Sequence, residues 1–143
     1  MREDDAAVFR QIQRTTEMGI RAIETILPKL EENEFSRRLS RQELAYSSLR
    51  DQARQELLRG KEEPYRSTAL AELFLKGGIH AGTLLNTSQS HVAGLMIQGS
   101  TKGLSQIWKT LNHYGNAGSV STDLASELMD FEQKNIRDLK KYL

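Results

Sequence analysis

Three histidines and nineteen acidic residues are the side chains of this chain that could bind a metal ion. A di-iron carboxylate site in a helical bundle needs a Glu from each of two helices and a Glu-x-x-His pair from each of the other two. The spacing matters because residues three apart share one helix face. His80, His91 and His113 all lack a Glu three positions before them. We therefore expect no metal site, no cofactor and no catalytic residue.

The polar residues on the inward faces of the expected helices are neutral. They are Thr16, Gln42, Ser100 and Asn135, whereas Glu132 falls at the rim of its helix in the helical projection. Buried polar groups need hydrogen-bond partners. We expect these four residues to form a buried hydrogen-bonded layer that fixes helix register, with a ligand-binding role as the alternative.

Other catalytic patterns are missing from the sequence. The chain has no cysteine and no Gly-x-Ser-x-Gly motif, which argues against nucleophilic catalysis. Gly94, Gly99 and Gly103 follow no strand pattern and lie within a helical one, so a phosphate-binding loop is not expected. Their spacing instead predicts close approach of two helices. We expect His91 at the surface or at a helix cap and His80 packed in the interior.

Composition narrows the class of protein. The 143 residues carry 20 basic and 19 acidic side chains, so the net charge of +1 favours neither nucleic acid nor an anionic membrane. Six arginines between 37 and 59 alternate with acidic residues, which is typical of a solvated helix face. No run of about 18 apolar residues occurs, so we expect no membrane span. The charged first five residues do not resemble a secretory signal, and we expect a cytoplasmic protein.

Apolar residues recur with helical periodicity along four long segments. The segments run over residues 8–30, where Pro28 should kink the helix, then over 35–57, 92–114 and 124–142. Ser88 is the expected N-cap of the third helix, and Ser121 or Thr122 that of the fourth. The pattern predicts a single all-α domain, an antiparallel four-helix bundle of ferritin-like type. Its halves, 3–59 and 88–143, would be joined by a crossover over 60–87 that carries its own short helix.

Two runs of the chain, Ser90–Thr101 and Phe131–Leu143, resemble a family of small uncharacterised helical proteins from Firmicutes. The resemblance extends over most of the chain. It implies a ferritin-like helical bundle and a bacterial, cytoplasmic origin. It implies no activity, substrate or catalytic residue.

The third helix has a wider apolar arc than a bundle core requires. Ile97, Leu104, Trp108 and Leu111 form a second edge, which the crossover could cover only in part. Surplus apolar surface of this kind favours a homodimer or another helical protein as partner. We therefore expect a non-enzymatic bundle protein that acts through association. The alternatives are a ferritin-like metal-binding protein or oxidoreductase with a degenerate carboxylate site, and a small-molecule binder with a pocket beside Trp108.

Overall fold

The computed structural model describes residues 1–66 and 86–143. Its α-helices are α1 (Glu3–Ile26), α2 (Glu34–Arg59), α3 (Gln89–His113) and α4 (Ser119–Leu139). Short 3-10 turns, Leu27–Lys29 and Lys140–Tyr142, follow α1 and α4. These two stretches contain no β-strand, and the predicted all-α class is confirmed. No helix within them is long and apolar enough to cross a membrane. The expected crossover helix, with His80, lies outside the described residues.

The turn between α1 and α2 is set by Pro28 and Asn33. We predicted a helix kinked by Pro28, but α1 ends at Ile26 and Pro28 lies at the second position of a 3-10 turn that begins at Leu27. Proline suits this place because the first residues of a helical turn have no amide partner to lose. Asn33 then opens α2 with a capping box: its Oδ1 accepts from the Ser36 N–H at 3.0 Å, and the Ser36 Oγ accepts from the Asn33 N–H at 2.9 Å.

The four helices pack around one apolar core. The most extensive contacts join α1 to α2 and α3 to α4, and α1 also contacts α3 and α4. The stripe predicted for α2 is buried at every position, and that prediction is confirmed. Its members are Phe35, Leu39, Gln42, Tyr46, Leu49, Ala53 and Leu57. Packing of such stripes supplies most of the stability of a helical bundle.

The chain turns sharply after α2. The helix ends in a Schellman motif, in which the Glu62 N–H donates to the Leu57 carbonyl and the Lys61 N–H donates to the Leu58 carbonyl. The left-handed position of this motif is Lys61, with φ of 56°, and not Gly60. A Cβ on Gly60 would lie 2.9 Å from the Met1 side chain, so the end of α2 lies beside the start of α1.

The starts of α3 and α4 are capped in different ways. Ser88 caps α3 by accepting from the His91 N–H at 3.2 Å, as predicted. Our expectation that Ser121 or Thr122 opens the fourth helix is wrong, because α4 begins at Ser119 with Gly118 as its cap. Gly118 has no side chain to accept hydrogen bonds. Asp5 of α1 holds this helix start instead, since its Oδ1 accepts from the Gly118 N–H at 2.7 Å and from the Ser121 hydroxyl at 2.6 Å.

Asp5 should therefore stabilise the start of α4 from a distant part of the chain. Asp5→Ala should lower the free energy of unfolding by about 1–3 kcal/mol, because it removes hydrogen bonds to a charged group. The hydrogen bond from Ser121 lowers the pKa of Asp5 below its ordinary value of 3.8. The contribution is thus complete above that value and is lost as pH falls through the lowered pKa. Urea unfolding at pH 7 measures it, and an equal loss for the exposed Asp130→Ala control would contradict it.

Candidate functional site: a buried carboxyl cluster

Glu132 of α4 lies in the interior of the bundle. Its side chain is 2% exposed, so our expectation that it sits at the rim of the helix is wrong. Glu132 lies four residues after Leu128 and three before Asn135, and both of these are buried on the same face. A spacing of four and three residues marks a core stripe, and this was the signal in the sequence that could have located it.

Three side chains from three helices donate hydrogen bonds to the same oxygen of Glu132. The Tyr46 hydroxyl of α2 makes a short hydrogen bond to Oε1. The Ser100 hydroxyl of α3 donates to Oε1 at 3.2 Å, and the Asn135 amide nitrogen of α4 approaches it at 3.5 Å. The same amide nitrogen lies 3.5 Å from the Tyr46 hydroxyl oxygen. We call Tyr46, Ser100, Glu132 and Asn135 the carboxyl cluster.

Two glycines make room for the carboxyl cluster. A Cβ on Gly103 of α3 would lie 2.5 Å from Glu132 Oε2 and 3.0 Å from a methyl carbon of Thr15, so only glycine admits the carboxyl group there. On α1, a Cβ on Gly19 would lie 2.6 Å from the Tyr46 ring. Close approach at Gly103 is as predicted. Gly99 is different, because it is exposed and no atom lies within 4 Å of a Cβ placed on it.

Burial changes the acid–base behaviour of the carboxyl cluster. Removal from water raises the pKa of Glu132 from 4.5 to about 7, and the hydrogen bonds from Tyr46, Ser100 and Asn135 only partly oppose that rise. Burial and the neighbouring carboxyl group also raise the pKa of Tyr46 well above its usual value of 10. Tyr46 therefore stays a hydrogen-bond donor at neutral pH, while Glu132 exchanges a proton near neutrality.

The four inward polar residues predicted from the sequence are all buried, but only two of them meet. Ser100 and Asn135 belong to the carboxyl cluster. Thr16 instead donates to carbonyl groups of its own helix, those of Ile12 at 2.7 Å and Gln13 at 2.9 Å. Gln42 is 5% exposed, and its side-chain nitrogen has no hydrogen-bond partner within the described residues.

The arrangement suits a structural role better than a catalytic one. Every member of the carboxyl cluster is at most 3% exposed, so a substrate cannot reach Glu132 without opening the bundle. What the cluster can do is hold α2, α3 and α4 in one register and take up or release a proton. Within residues 1–66 and 86–143, no three His, Asp or Glu side chains lie together as a possible metal site.

The two described histidines lie far from this interior. His91 is exposed in the first turn of α3, where its N–H is bound by Ser88. His113 is exposed in the last turn of α3, and its ring packs edge-on against Tyr114 with centroids 4.7 Å apart. The surface position expected for His91 is therefore correct.

In comparisons with models of protein families, with curated proteins and with solved structures, no match to this chain was found. A function for this chain must therefore be inferred from its own residues and their geometry.

The raised pKa of Glu132 predicts a pH-dependent stability. Between pH 4.5 and about 7 the folded protein holds a proton that the unfolded chain has released, so the free energy of unfolding falls as pH rises. The loss across this window is roughly 3 kcal/mol. Glu132→Gln should flatten the dependence, as measured by urea unfolding between pH 5 and 8. The exposed Glu24→Gln control should keep it. Equal slopes for the wild type and Glu132→Gln would contradict the assignment.

Gly103 and Gly99 offer a matched test of the space around the cluster. Gly103→Leu should displace the Glu132 carboxyl group and lower the free energy of unfolding by about 1–3 kcal/mol. Gly99→Leu on the same helix meets open space and should raise the free energy of unfolding by up to about 1 kcal/mol through helix propensity. Thermal unfolding separates the two variants. An unchanged melting temperature for Gly103→Leu would show that the core has room there.

Proposed function

We propose that this chain is a non-enzymatic helical-bundle protein that acts by association, and that it pairs with a second copy through α3. The observation that supports this most is the exposure of Trp108, which is 53% exposed near the C-terminal end of a long helix. Large aromatic side chains seldom stay in water on a monomer, and they are enriched where proteins meet.

Trp108 belongs to a continuous stripe on α3. Ile97, Leu104 and Leu111 are half-buried and pack against the edge of the core, and Trp108 and Thr101 extend the stripe outwards. The five residues follow one another at intervals of four and three. This is the spacing by which one helix packs along another helix. We call these residues the α3 stripe.

The charges around the α3 stripe suit pairing with an identical copy. α3 contains no acidic residue, and the residues that border the outer side of the stripe include the exposed, neutral Gln98 and Ser105. Its lysines, Lys102 and Lys109, lie about 100° or more around the helix from Trp108. Two copies related by a twofold axis would therefore bring the stripes together without opposing like charges.

The proposal includes an antiparallel, ferritin-like arrangement of the four helices. Its support is that the end of α2 lies beside the start of α1, and that α1 and α2 are joined by only a short turn. A bacterial, cytoplasmic protein is proposed from the absence of cysteine and the resemblance to small helical proteins of Firmicutes. The alternative is a metal-binding protein or oxidoreductase with a degenerate carboxylate site. One observation supports it, the inward position of the Glu132 carboxyl group.

The pairing predicts a mass that depends on concentration. Light scattering across a dilution series should approach about twice the 16.2 kDa of the chain at high micromolar concentration. Trp108→Lys should shift the dissociation constant upwards by at least about 100-fold, because it replaces the largest apolar side chain of the contact with a charge. Leu44→Lys is the matched control, since Leu44 of α2 is 71% exposed but lies outside the α3 stripe. A constant mass near 16.2 kDa would refute the proposal.

A further inference from the structure

A cleft opens on the opposite pair of helices, away from the α3 stripe. It has a volume of about 490 Å³ and lies between α1, α2 and the segment that follows α2. Gln13 and Glu17 of α1 line one side, Arg50 and Arg54 of α2 line the other, and residues 63–66 complete the wall. Clefts of about 300–1,000 Å³ are the usual size for small-molecule sites.

The wall formed by residues 63–66 is fixed to α1. The left-handed turn at Lys61 directs the chain back from the end of α2 towards α1. Arg10 then donates to the Glu63 carbonyl at 2.9 Å and pairs with the Glu62 carboxylate at 3.1 Å. The Tyr65 N–H donates to the buried Gln13 Oε1 at 2.8 Å. The shape of the cleft thus depends on specific contacts between its wall and α1.

Charges of both signs face this cleft, and most of them are paired. Arg50 binds Asp51 at 3.0 Å, and Arg66 binds Glu63 at 3.4 Å. Glu17 is the exception among the acids, because its carboxyl group lines the cleft and makes no ion pair or hydrogen bond within the described residues. Its Oε2 is buried, so a ligand in the cleft would bind the other carboxylate oxygen, Oε1.

The carboxyl group of Glu17 can accept hydrogen bonds from a cationic ligand. Burial raises the pKa of this group, and the positive charges of Arg50, Arg21 and Arg54 oppose that rise and so favour the ionised form. An ammonium group offers three donors on a compact positive charge. Arg54 is exposed at the other side of the cleft and makes no ion pair within the described residues. A guanidinium group binds carboxylates through two parallel hydrogen bonds.

We propose that this cleft binds a small zwitterion of dipeptide size, with its ammonium group on Glu17 and its carboxylate on Arg54. A ligand with both charges matches the two sides of the cleft, whereas a ligand with one charge leaves the other side unpaired. This site is independent of the pairing proposed for α3.

The test titrates the full ¹⁵N-labelled chain with L-alanyl-L-alanine and follows the amide resonances. Those of Glu17, Arg54 and Tyr65 should shift together and saturate. N-acetyl-alanyl-alanine lacks the ammonium group and alanyl-alanine amide lacks the carboxylate, and each should bind at least about tenfold more weakly. Glu17→Gln should weaken dipeptide binding by a similar factor and remove the effect of acetylation. Arg54→Gln should likewise weaken dipeptide binding, and it should remove the difference in affinity between the dipeptide and alanyl-alanine amide.

The control variant is Arg37→Gln, which changes an exposed arginine of α2 outside the cleft and should leave binding unchanged. Far-ultraviolet circular dichroism checks that each variant is folded. The proposal is overturned if no saturable shift occurs up to about 10 mM dipeptide, a concentration that would detect millimolar affinity. It is equally overturned if both blocked analogues bind as well as the dipeptide, or if Glu17→Gln binds with unchanged affinity.

Discussion

The arrangement of the helices depends on one carboxyl group placed where water cannot reach it. Glu132 brings a polar group into the core, and a group of this kind is tolerated only when its hydrogen bonds are made. Two of the donors come from α2 and α3, so a slip of either helix along α4 would leave the carboxyl group less well satisfied. Apolar packing tolerates small shifts, but hydrogen bonds to a single oxygen do not. The carboxyl cluster therefore selects one register among the several that the apolar stripes allow.

Much of the fold was predictable from the sequence because amphipathic helices bury one face. The stripe of α2 from Phe35 to Leu57 is buried as its periodicity predicts. Helix ends were harder to predict, since they depend on contacts from elsewhere. α1 ends before Pro28 through a local turn. The start of α4 is instead held by Asp5, more than a hundred residues earlier, which accepts from the Gly118 amide and the Ser121 hydroxyl.

The carboxyl cluster was only half predictable for a related reason. Ser100 falls within the apolar arc of its helix and Asn135 at the centre of its own, so periodicity alone places them inside. A charged residue near the edge of a helix face can turn inwards or outwards, and its direction depends on whether the neighbouring helix leaves space for it. For Glu132 the space exists because Gly103 of α3 has no side chain, and the carboxyl group fills it. Gly99, one turn away on the same helix, has no such neighbour, and spacing could not separate the two glycines.

The contacts of Asp4 and Asp5 with the start of α4 also bear on how the chain is made. The Asn116 N–H donates to Asp4, and the Gly118 N–H and Ser121 hydroxyl donate to Asp5, across 112 to 116 residues of sequence. A ribosome synthesises the two aspartates more than a hundred residues before their partners. The acidic turn of α1 therefore lacks these partners until α4 has left the exit tunnel. Helix hairpins can form locally during this time, but the bundle cannot be completed before its fourth helix has emerged.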